Sequence, residues 1–144
     1  NIEITQITPE DDYHFSDIYY ENEFVPRNIN KAIDYYSRAA DFNRLESQFK
    51  LGLIYYKNEF ISPYVNKAIY YCKLAAKQNH SKAAHVLGNI FYKNKLIKRD
   101  INKAIKYFSL AGQLNNDCSL VILGIIYSSN EFIASDIKKS SFLL

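Results

Sequence analysis

Apolar residues along the chain fall into two kinds of helical stretch that alternate. In one kind, Ile29, Ala32/Ile33, Tyr36 and Ala39/Ala40 stand at i, i+3/4, i+7 and i+10/11, a single stripe on one helix face. Val65, Ala68/Ile69, Cys72 and Ala75/Ala76 repeat it further on. The other kind carries Leu51, Gly52 and Tyr55 on its inner face. Together they predict seven full helices near 9–21, 29–42, 46–57, 65–78, 82–93, 101–114 and 118–129, an eighth from about 137, and no β-sheet. Asn28, Asp100 and Asp136 stand just before the striped helices, where a short polar side chain caps free backbone N–H groups. Tyr64 breaks that column, and Ser62-Pro63 offers a start one turn earlier. Thr8-Pro9-Glu10-Asp11 has the cap, proline and first-turn acids of a helix start.

The two stretches form one repeating unit. Asn-Lys-Ala-Ile occurs at 30–33, 66–69 and 102–105, and Leu-Gly at 51–52, 87–88 and 123–124, always 36 residues apart. Ile18-Tyr19-Tyr20, Ile54-Tyr55-Tyr56, Ile90-Phe91-Tyr92 and Ile126-Tyr127 keep the same register. The units are placed at about 10–45, 46–81, 82–117 and a truncated 118–144, with 1–9 as an amino-terminal extension. A glycine inside a helix costs about 1 kcal/mol relative to alanine. Its return at 52, 88 and 124 therefore predicts a close helix crossing, with the alanine pairs expected on the other side of it. The fold class is all-α: a right-handed α/α superhelical solenoid of antiparallel helix pairs with a 36-residue period.

The string Leu87-Gly88-x-x-Phe91 … Ile97-x-x-Asp100-x-x-Lys103-Ala104 … Ala111 resembles the Sel1-like repeat, a relative of the tetratricopeptide repeat. The resemblance covers about residues 10–144, and the 36-residue period favours it over the 34-residue tetratricopeptide unit. The family's two loop glycines are replaced by Asn94 and Leu96 here. The resemblance implies adaptor work in protein assemblies. It also implies, by register, a partner-binding surface on the first helices: Tyr13, Asp17, Tyr20 and Glu21, then Phe49, Leu53, Tyr56 and Lys57, then His85, Asn89, Tyr92 and Lys93. Spacings of three, four and seven keep most members of each set on one helix face. Tyr20, Tyr56 and Tyr92 would form a ladder, unless they serve only as packing between neighbouring first helices.

Composition narrows the alternatives. The longest apolar run, 120–127, is far short of the roughly 18 residues that span a bilayer, so no membrane span is expected. Two cysteines without a pairing pattern argue against a disulfide-stapled secreted domain and favour a cytoplasmic setting. Cys72 shares a core column with Tyr36 and Phe108, whereas Cys118 shares a surface column with Glu46 and Lys82. His80 and His85 are five apart and share no helix face, and no acid or cysteine cluster joins them or His14. No phosphate loop, nucleophile elbow or acid pair is present, so neither an enzyme active site nor a cofactor is expected. Residues 1–25 carry seven acids and no Lys or Arg, while the middle units are lysine-rich. Those lysines occupy several repeat columns, which weighs against nucleic-acid binding as the function. The alternatives are a nucleic-acid-binding helical repeat that uses the basic middle units, or the non-catalytic repeat region of a larger enzyme. The expected partner is a protein or peptide. Self-association is expected through Leu120, Val121, Ile122 and Ile125, because the sequence stops inside the helix that should cover them.

Overall fold

The computed structural model describes residues 28–57, 65–93 and 97–129, which form six helices and no strand. They are α1 (Ile29–Asp41), α2 (Leu45–Lys57), α3 (Val65–Lys77), α4 (Ser81–Lys93), α5 (Ile101–Gln113) and α6 (Asp117–Ser128). Each packs on its neighbours in sequence, and α2 also touches α4 across one repeat. The first and eighth expected helices, and the caps expected at Ser62 and Asp136, lie outside the described residues.

The caps are those the polar residues suggested. Asn28 Oδ1 accepts from Lys31 N at 3.1 Å and Asp100 Oδ1 from Lys103 N at 3.0 Å. The first helices, however, begin one residue earlier than expected, at 45, 81 and 117. The reason is a tight reversal at the end of each second helix. Asn43, Asn79 and Asn115 sit in the left-handed region at φ 63, 64 and 68°, one per repeat. Asn43 N–H donates to Ala40 O and Arg44 N–H to Ala39 O, and the same pair recurs at Asn79/His80 and Asn115/Asn116. Asparagine tolerates this conformation better than other non-glycine residues, and it closes the helix as glycine often does.

Packing inside each hairpin rests on the glycine column. A Cβ on Gly52 would meet Cys72 Sγ, and the Cys72 backbone N at 3.1 Å. One on Gly88 would lie 2.5 Å from the Phe108 ring. The crossing partner is therefore the second helix of the same unit, through Cys72 on α3 and Phe108 on α5. Both side chains are fully buried, as is Tyr36 in the same column. Burial pushes the Cys72 thiol up to about 12, as befits a small core hydrophobe, while Cys118 is exposed.

The alanine pairs do not face these glycines. Gly112, which holds the place of Ala76 one repeat later, would meet the Leu120 side chain of α6 at 2.6 Å. The paired small residues thus allow a second close approach, between one unit's second helix and the next unit's first helix. Ala75, Ala76, Ala83 and Ala84 are all buried accordingly.

The contrast between columns fixes an expectation for stability. Gly88→Ala presses a methyl group into the buried Phe108 ring, and overpacking of this kind costs about 1–3 kcal/mol, partly offset by about 1 kcal/mol of helix propensity. Gly88→Leu is expected to cost more. At Gly124 a Cβ meets nothing within 4 Å among the described residues, so Gly124→Ala should be neutral or stabilising by up to about 1 kcal/mol. Urea melts of the three variants check the order; a Gly88→Leu chain as stable as the parent would remove the close-crossing argument.

Candidate functional site

The first helices α2 and α4 carry the candidate surface residues that the structure describes. Tyr13, Asp17, Tyr20 and Glu21 lie outside the described residues. Phe49 departs from expectation: it is buried, 8% exposed, and its ring stacks on His80 with centroids 4.3 Å apart. His80 covers it, because this residue caps α4 and brings its ring down onto α2. His80 Nδ1 accepts from Ala83 N at 3.1 Å, so the ring proton sits on Nε2 and points to Glu46 Oε1 at 3.2 Å. Phe49 is core, not groove.

Leu53, Tyr56, His85, Asn89 and Tyr92 are partly buried, and Lys57 and Lys93 are exposed. Burial, then the neighbouring Cys72, holds the Tyr56 hydroxyl above the usual tyrosine range. The Tyr92 ring meets Phe108 edge-on, centroids 6.3 Å apart, and the Arg99 guanidinium lies 4.6 Å over it. The ladder tyrosines are thus neither closed into the core like Tyr36 nor fully open.

Behind Tyr92 lies a small polar network. His85 Nδ1 is 2.7 Å from Ser119 Oγ on α6, and His85 Nε2 is 3.1 Å from Asn89 Nδ2. Asn89 Oδ1 is buried, with no hydrogen-bond partner among the described residues. Sequence reading did not single out Arg99 or Ser119. Arg99 shares its column with Arg27 but not with Pro63 or Ser135, so the column does not read as a repeated feature, and Ser119 was hidden in an otherwise apolar run. Among the described residues no group of His, Cys, Asp and Glu is placed to hold a metal ion, and no helix is long and apolar enough to cross a membrane.

Paired helices with small-residue crossings, stacked so that first helices meet first helices, define a helical-repeat scaffold. The chain belongs to the Sel1 repeat family, whose model matches residues 16–41, 45–80 and 81–116. Solved structures with a similar fold include a protective antigen of uropathogenic Escherichia coli strains displaying an SLR fold. It is 24% identical, with a TM-score of 0.77 over 83% of this chain and 26% of that one. A Sel1 repeat protein from Oxalobacter formigenes is 25% identical, with a TM-score of 0.73 over 88% of this chain and 52% of that one. Cysteine rich protein B of Helicobacter pylori is 22% identical, with a TM-score of 0.60 over 81% and 98%. The chain therefore spans about a quarter of the first and half of the second. No curated protein sequence matches it. Proteins of this family generally act as scaffolds for protein–protein interaction.

Both interface histidines resist protonation, which gives the stack a pH dependence. Burial lowers His80 below its usual 6.5, with Lys82 adding to the shift and the facing Glu46 opposing it. Burial, then Lys93, lowers His85. Below pH 6.5 the unfolded chain takes up protons that the folded chain resists, so stability falls as pH drops through that value and is regained above it. Urea midpoints at pH 7.5 and 5.5 should show the loss, and His80→Asn with His85→Gln should flatten the slope. An unchanged slope in the double variant would place the pH response elsewhere.

Proposed function

We propose that the chain is a protein-interaction scaffold that seats an extended peptide along α2 and α4. The contacting residues are Leu53, Tyr56, Lys57, Asn89, Tyr92 and Lys93, with His85 behind them. By register, Tyr13, Asp17, Tyr20 and Glu21 would continue the surface. The observation that carries this reading is that Tyr56 and Tyr92 remain partly open on two helices that touch, one repeat apart. Tyrosines needed only as packing would be closed off as fully as Tyr36 and Phe108 are. The partly open rings offer a large apolar body with a hydrogen-bonding tip, the combination that dominates binding hot spots. Asn89 adds a buried acceptor with no partner among the described residues. Lys57 and Lys93 draw the acidic end of the peptide away from the acidic amino-terminal unit.

Selection of a displayed random-peptide library on the immobilised protein tests the surface. Tyr56→Ala with Tyr92→Ala should weaken the selected peptides at least about tenfold, as loss of a hot spot does, while the far-UV signal stays helical. Selected peptides that bind the double variant as well as the parent would move the site elsewhere.

We also propose self-association through α6. Leu120, Val121 and Ile125 are 51, 64 and 55% exposed on one face, whereas Ile126 is closed and Ile122 packs partly against the core. Ile122 thus leaves the expected set. An apolar face of this kind favours association. Sedimentation velocity should show species larger than one chain, reverting to single chains in Val121→Lys with Ile125→Lys. A parent that sediments as a single chain at all concentrations would remove the proposal.

A further inference from the structure

A second cleft lies between the second helices α3 and α5, the layer opposite the proposed peptide surface. Lys73, Ala76 and Lys77 on α3 and Lys106, Tyr107 and Leu110 on α5 line it, around a volume of about 360 Å³. Lys73, Lys77 and Lys106 are all exposed, and none has a carboxylate partner among the described residues. The surrounding sequence offers little to neutralise them, since residues 60–116 contain ten Lys or Arg and only one acid, Asp100.

The same junction one repeat earlier shows what is missing here. There Tyr71 stands where Tyr107 stands, and its hydroxyl is hydrogen-bonded by Ser37 and faces Asp41. In register, Lys73 replaces Ser37 and Lys77 replaces Asp41. Tyr107 therefore loses the hydroxyl partner that Tyr71 has, and no other is found among the described residues. It gains two ammonium groups on the facing helix instead. Its ring is held, stacked on Phe91 at 5.8 Å with the Lys106 ammonium 5.4 Å above it. One junction has satisfied its own polar groups within the chain; the next has turned the equivalent groups into unpaired donors around an apolar floor of Ala76 and Leu110.

We infer that the α3–α5 cleft is a second docking site, for a carboxylate-rich segment of a protein partner. Carboxylates meet Lys73, Lys77 and Lys106, the Tyr107 hydroxyl donates to one of them, and an apolar side chain of the segment covers Ala76 and Leu110. In the three columns that supply these lysines, the basic residues fall together at this junction. Counterparts of Lys73 and Lys77 are Ser37 and Asp41 on one side and Ser109 and Gln113 on the other, and Lys106 replaces Asp34 and Tyr70. A nucleic-acid backbone needs a continuing track of cations, whereas a short acidic segment needs one cluster.

The probe is a short fluorescein-labelled peptide alternating Glu pairs with Leu, followed by anisotropy at low salt. The parent should bind it, and Lys73→Glu with Lys77→Glu and Lys106→Glu should weaken binding about tenfold or more, the sum of three exposed ion pairs lost. Tyr107→Phe should weaken it by a smaller factor without changing the melting temperature. Lys98→Glu, at an exposed lysine outside both surfaces, should leave this binding unchanged. Equal binding by the triple variant would overturn the inference. So would a single-stranded oligonucleotide of equal charge that binds more tightly than the peptide and is lost with the same three lysines.

Discussion

Every later feature of this chain depends on how near the two helices of a unit come to each other. At Gly52 and Gly88 the first helix lies so close to the second that even a methyl group would strike Cys72 or Phe108. That approach lets a stripe of only four or five apolar positions be closed completely, since Tyr36, Cys72 and Phe108 have no exposed surface at all. Helices of thirteen residues are marginal alone, and most of their stability must come from this packing. The same constraint explains the tolerance of the column opposite glycine. Cys72 and Phe108 differ greatly in volume yet occupy equivalent places, because the glycine leaves the partner to fill whatever space the crossing provides.

A second close approach stacks the units, and it uses different residues. Ala39-Ala40, Ala75-Ala76 and Ala111-Gly112 end the second helices where the chain turns into the next unit. The asparagine reversal follows directly, at Asn43, Asn79 and Asn115. With a reversal this short, the position of each unit on the next is set by local geometry, and α2 reaches α4 as a consequence. The candidate tyrosines owe their common face to that register.

The helices, their hairpin pairing, the caps at Asn28 and Asp100 and the burial of Cys72 were legible because they follow from spacing and from side-chain size. The asparagine column recurs at 36 residues just as the glycines do, yet periodicity alone does not show that its backbone is left-handed. Phe49 was misplaced for a different reason. Its fate depends on His80, thirty-one residues away, acting as a helix cap, and histidine is not a residue one expects there. The place of the alanine pairs was misjudged because sequence shows that two small columns exist without showing which meets which. Tyr56 and Tyr92 sit between these cases: their column was readable, but the setting of Tyr92 depends on Arg99 and Phe108, whose places one repeat earlier are held by Pro63 and Cys72.

Apolar positions make the units alike, and polar positions make the junctions differ. Gln78 donates to Asn43 Oδ1 at 3.1 Å and to Gln48 Oε1 at 2.7 Å, and Gln48 donates to Asn43 at 3.0 Å. One repeat later Gln78 and Gln48 become Leu114 and Ala84, and that junction relies instead on His85 and Ser119. A slip of one whole unit would preserve most apolar contacts, because those columns repeat. It would also set Gln48, buried and 1% exposed, against Leu114 in place of Gln78, at a cost of about 1–3 kcal/mol for the lost pairing. The polar residues thus carry order along an array whose apolar core is nearly indifferent to it. The same division holds at the surface, where Ser37 and Asp41 at one junction give way to Lys73 and Lys77 at the next. A repeat protein of this kind acquires distinct surfaces by changing the columns that its packing leaves free.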